Sequence, residues 1–154
     1  MTRYALLALV AAAVAAGGCA KESFTAPEGY VMLASPPYHY QAEAVSADGV
    51  YLGLRAAQPS QDGTLDFWAT AVKNQIVTSR GYTFVSEAAV AAADGTPGKR
   101  MDFTANLQGR EFAYLAAVWV KGKDVYVAEG GGPKEKFDAD QAKLEKALGT
   151  VRLK

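Results

Sequence analysis

The 154-residue chain has almost no cysteine or histidine: Cys19 and His39 are the only ones. One cysteine cannot close a disulfide framework. One residue of each type also falls short of a zinc site, which draws on several such ligands. A nucleophilic hydrolase needs an activated Ser, Thr or Cys beside a base. No Gly-x-Ser-x-Gly elbow is present to supply one. There is no Asp-x-Asp-x-Asp-Gly calcium loop, and the Gly130-Gly131-Gly132-Pro133 run lacks the Lys-Ser/Thr of a phosphate loop. Net charge is absent too, with 16 basic side chains against 16 acidic ones. Nucleic-acid binding draws on clustered Lys and Arg. The eight tyrosines here are interleaved with Ala, Val and acids instead, so no nucleic-acid partner is expected. These absences point to a non-catalytic chain with no metal or other cofactor. Paired acids from distant segments are the one remaining route to a hydrolase, and they would need to meet in a cleft.

The apolar material begins at the N-terminus. Arg3 precedes an unbroken apolar run over residues 6–16, and Ala16-Gly17-Gly18-Cys19 closes it with small residues. Residues 4–18 are too short and alanine-rich for a spanning helix, which needs about 20 apolar residues. Two readings follow. Cleavage after Ala13-Val14-Ala15 would leave a free thiol, a liability in an oxidising compartment. The small residues before Cys19 otherwise resemble the lipobox of bacterial lipoproteins, with Ala16 where that family prefers Leu. That resemblance implies a diacylglyceryl group on the Cys19 thiol, removal of residues 1–18, and an acyl chain such as palmitate on the new amine. Loss of Arg3 with the signal leaves a balance of about −1. Two or three chains anchor a protein stably to a membrane, whereas one is marginal. Ala20, rather than Asp, follows the cysteine. By the same resemblance the protein goes to the outer membrane, facing the periplasm, where the host has one, and otherwise to the cell membrane.

Residues 19–29 read as the lipidated Cys and a short polar tether, and residues 30–154 as a single domain of ordinary composition. Residues 30–34 suit a short strand, ended by Pro36-Pro37. Residues 38–46 and 50–56 read as strands around an Asp48-Gly49 turn. Thr64 then caps a helix whose Leu65, Trp68, Ala69, Val72 and Ile76 share one face, with Gly81 beyond its end. A meander follows over residues 82–129. Residues 112–120 are apolar on both faces, as in a central strand covered from both sides. Residues 130–133 read as a flexible joint. A last helix is expected to begin at Asp138, with Gln141 close to a capping box and Phe137 stapled onto Ala142. Its buried stripe is Leu144, Ala147 and Leu148, and Gly149 ends it.

This order predicts an α+β fold, an antiparallel sheet meander with two main helices packed on it. The opening "GYVMLASPPYHY", the "GKRMDFTANLQGREFAYLAAVWVKGKDVYVAEGG" meander and the closing "FDADQAKLEKALGTVRL" resemble the PsbP-like α/β/α sandwich, which includes DcrB-type bacterial envelope lipoproteins. The metal and chloride roles of photosynthetic members are not carried to any residue here.

The remaining candidate surface is aromatic. Tyr38, His39, Tyr40 and Tyr51 lie close in sequence, and on one face they would form an amphipathic binding patch. The same rings would equally serve to cover a sheet, and a lone His on a Tyr-rich strand suits a structural or surface role. Trp68 and Trp119 lie in apolar stripes and read as core. The expected function is a membrane-anchored, non-catalytic envelope lipoprotein that binds or helps assemble an envelope partner. The alternative is a lipoprotein holding a small apolar ligand or lipid between sheet and helix, which requires a roomy apolar pocket.

Overall fold

The computed structural model describes residues 23–154, so Cys19 and the signal segment expected before it lie outside the described residues. Seven strands and two helices follow in the order β1 (Tyr30–Met32), β2 (Ala42–Ser46), β3 (Tyr51–Ala57), α1 (Leu65–Arg80), β4 (Thr83–Ala91), β5 (Pro97–Leu107), β6 (Arg110–Lys121), β7 (Asp124–Pro133) and α2 (Lys134–Leu148). The strands form one antiparallel sheet ordered β1-β2-β3-β7-β6-β5-β4. The fold is thus the expected α+β meander sheet with two helices.

Strand β6 explains the layering. Successive side chains of a strand point to opposite faces. Leu115, Ala117 and Trp119 join one apolar cluster with Phe137, Leu144 and Leu148 of α2. Tyr114, Ala116 and Val118 join the other, with Ala69 and Ile76 of α1. One helix therefore covers each face, and both rows of β6 are buried. Trp119 and Trp68 differ: Trp119 is fully buried, while Trp68, in the first turn of α1, is half-buried.

Helix α1 forms where its capping residues require. The Thr64 hydroxyl accepts the Phe67 N–H at 3.2 Å, satisfying a donor that the first turn leaves orphaned. Gly81 ends it at φ 71°, a left-handed conformation that glycine adopts without a Cβ penalty. Its amide and that of Tyr82 close onto the carbonyls of Val77 and Ile76.

Four local readings change. The strand expected over residues 38–46 starts only at Ala42, because Tyr38 and His39 adopt left-handed φ of 56° and 62° in a turn after the two prolines. That turn lays the Tyr40 ring over Gly53, where a Cβ would sit 2.8 Å from the ring. The supposed joint at residues 130–133 is the end of β7, laddered to β6 throughout and to β3 at Gly130 and Gly131. Glycine is needed at position 130 because a Cβ there would come within 2.8 Å of the Tyr51 carbonyl. Helix α2 begins at Lys134, with Pro133 at the N-cap and no side-chain cap bond. Asp138 therefore pairs with Lys134 inside the helix instead of starting it. Finally, residues 23–29 are not a free tether. Phe24 is buried, Arg152 donates to the Ser23 carbonyl at 2.8 Å, and the Thr25 N–H donates to Thr150 Oγ1.

Candidate functional site

The most unusual feature of the interior is a buried carboxylate. Glu129 lies on β7 in phase with Val125 and Val127, so the alternation of the strand carries it to the α1 face. Its side chain is only 4% exposed. A carboxylate there is tolerable only if charges and donors replace the lost water. Four groups do so. The Tyr114 hydroxyl donates at 2.8 Å, Arg55 Nε at 3.0 Å, the Tyr40 hydroxyl at 3.2 Å and Arg80 Nη2 at 3.3 Å. Arg80 Nη1 also donates to the Tyr114 oxygen at 2.7 Å, and its guanidinium lies 5.6 Å from the centre of that ring.

Each partner arrives from a different element. Tyr114 comes from β6, Arg55 from β3, Arg80 from the last turn of α1, and Tyr40 from the left-handed turn before β2. Burial, then the Glu129 charge, holds the Tyr114 and Tyr40 phenols well above their usual range. The same causes push Tyr51 up to about 12. The tyrosines are therefore neutral donors at physiological pH, with no base among them. The carboxylate is saturated by donors and leaves no lone pair poised for proton abstraction. The geometry clamps β3, β6, β7 and α1 together. It does not form an acid–base pair.

Beside this cluster lies a cavity of about 260 Å³, lined by Tyr51, Tyr82, Tyr114, Leu107, Phe112 and Gly131 among others. Tyr82 stacks edge-on against Tyr114 at 5.3 Å. A Cβ at position 131 would reach within 3.0 Å of the Tyr114 ring, so that glycine lets the tyrosines close over the strand.

The four aromatic-patch residues are divided by the fold. Tyr38 is 83% exposed and His39 is also exposed, both on the turn, while Tyr40 and Tyr51 are half-buried and face the Glu129 cluster. The cluster itself was not foreseen, although one signal was available: a lone acid in phase with apolar residues in "VYVAEG". A second buried acid, Glu43, is 6% exposed, and its Oε2 has no hydrogen-bond partner among the described residues. Desolvation raises its carboxyl above the ordinary value. Among the described residues no three His, Cys, Asp or Glu side chains gather as a metal site.

No protein-family model and no curated protein sequence matches the chain. Solved structures do. LpqN of Mycobacterium tuberculosis, described as involved in cell envelope biogenesis, superposes with a TM-score of 0.67 at 9% identity, over 86% of this chain and 83% of that one. The cyanobacterial PsbP of Synechocystis gives 0.56 at 12% identity, over 92% and 98%. PA94 of Pseudomonas aeruginosa, a protein of unknown function, gives 0.53 at 12% identity, over 88% and 85%. At these identities the likeness defines a fold class, the PsbP-like α/β/α sandwich.

Proposed function

We propose that this chain is a non-catalytic lipoprotein of the bacterial cell envelope, anchored through acyl chains on Cys19, which binds or assists assembly of an envelope partner. Its place is the outer membrane facing the periplasm where the host has one, and otherwise the cell membrane. The observation that carries the reading is the junction of signal and domain. The lipobox-like Ala16-Gly17-Gly18-Cys19 stands four residues before Ser23, and Ser23 is already strapped to Arg152. Four residues span at most about 14 Å, so lipid on Cys19 would hold this domain against its membrane. No helix of the described residues is long and apolar enough to cross one. The fold shared with LpqN, whose description names envelope biogenesis, supports the same setting. The saturated Glu129 cluster supports a non-catalytic reading.

Between a macromolecular partner and a small apolar ligand, packing favours the partner. On the α2 side Leu52, Leu54, Trp119 and Leu144 are fully buried against one another, and on the α1 side Ile76 and Met101 are. The larger cavities open to the surface and are lined by mixed polar groups such as Lys143, Arg110 and Glu135. Fractionation with crosslinking at native abundance tests the proposal. A membrane-bound, lipid-modified chain with a reproducible crosslinked partner is expected. A chain released to the soluble fraction, or recovered without any partner, would count against it.

A further inference from the structure

The two edges of the sheet are guarded very differently. Strand β1 has three residues and runs into Ser35-Pro36-Pro37, which offers little to pair with. Strand β4 has nine residues, and eight of them are exposed. Among the described residues no strand lies beyond it, and no turn or loop backbone bond reaches its residues. Soluble proteins usually blunt such an edge with Lys, Pro, a bulge or a covering loop. Among the described residues the only such device is a register shift at Val85, which leaves residues 86–91 in regular pairing with β5. The strand contains neither Pro nor Lys, and its one acid, Glu87, is taken up by Lys99 at 2.9 Å.

We propose that β4 is the partner-docking edge, and that its occupant is an extended, uncharged segment of an envelope polypeptide that adds to the sheet as a further strand. This deepens the partner-binding reading and rests on it. The unpaired N–H and C=O groups of an edge stand at strand spacing, so an extended backbone satisfies them. Lys99 is shared between Glu87 and Asp66, each at 2.9 Å, so the edge has at most one net negative charge and no cluster to recruit a charged chain. Ala88, Ala89 and Ala91 are exposed and short, so they leave space on both faces of the strand, and the exposed Val85 lies nearer its start. An incoming strand with large apolar side chains at alternate positions would fill that space. A second copy of β4 fits poorly. Two-fold pairing over residues 86–91 sets Ala88 against Ala89 and brings no large side chain to the space beside the alanines.

The test uses the full chain and a capped heptapeptide of alternating Val and Thr as probe, read by hydrogen exchange. At about 1 mM peptide, exchange in residues 86–91 should slow about fivefold or more, with β1 unchanged. A peptide N-methylated at alternate residues should give no protection, since it cannot complete the ladder. The A88K/A89K variant should lose protection by the unmethylated peptide while keeping its melting temperature. If that variant does not fold, the N-methyl comparison on the unaltered chain decides. Absence of protection, protection elsewhere, or equal protection by the methylated peptide overturns the proposal. Crosslinking separates the two levels. A partner captured equally by the unaltered chain and by A88K/A89K overturns the edge and leaves partner binding standing. No captured partner overturns the functional reading.

Discussion

The two helix–sheet interfaces of this sandwich are held by different physics. Under α2, Trp119, Tyr126, Leu52 and Leu54 meet Phe137, Leu144 and Leu148 in an apolar layer. Under α1, a smaller apolar patch around Ile76 and Met101 gives way to the Arg55–Glu129–Arg80 ion pairs and their tyrosines. An apolar layer is strong but directionally undemanding, whereas buried charges accept few geometries. The α2 side is thus the stability reservoir. The α1 side fixes how β3, the turn at Tyr38 and the end of α1 sit relative to one another.

Mutation should expose this difference. Trp119→Ala is expected to cost about 3–5 kcal/mol by denaturant melt, and Leu144→Ala about 2–5, with no change in salt response. Glu129→Leu should cost less, about 2–3 kcal/mol. It strands the Tyr114 and Tyr40 hydroxyls, but Arg55 and Arg80 are each more than a third exposed and can turn to water. Its distinctive mark should be faster hydrogen exchange around residues 38–41. An E129L variant that left those amides unchanged would mean that the ion-pair cluster does not hold the turn. Thr64→Ala, which removes only the cap of α1, should cost about 1 kcal/mol and be felt on the α1 side alone.

The smallest effect sharpens the contrast by pH. Glu43 has its carboxyl raised above 4.5 by burial, so the folded state holds its proton more tightly than the unfolded state does. Its contribution to stability is complete below pH 4.5 and is lost as pH rises through the folded-state value. Glu43→Gln should flatten that decline, and melting temperatures taken from acid to neutral pH would reveal it. An unchanged slope would mean that Glu43 has found a partner in solution.

Features resting on local rules were legible in the sequence. The α1 stripe, Thr64, Gly81 and the two-faced β6 all follow from period and capping chemistry. Features resting on distant neighbours were not. Residues 130–132 look like a joint until Val50, Tyr51 and Tyr114 crowd them. Glu129 is an isolated acid until Arg80, Arg55 and Tyr40 reach it from 49, 74 and 89 positions away. The turn at Tyr38 and His39 was hidden for another reason. Left-handed backbone in two successive non-glycine residues is uncommon, and the Tyr40–Glu129 contact holds it in place only in the folded state. The start of α2 was obscured because proline provides the N-cap where Asp138 offers the more familiar signal.

A lipid anchor on Cys19 and an envelope partner are the two halves of the proposed function. Native mass spectrometry of the full chain, extracted gently from its own membrane, tests that directly. The expected spectrum is that of a chain that begins at Cys19, carries the mass of its acyl groups and travels with a second protein. A chain cut elsewhere, with an unmodified thiol at Cys19, would contradict it.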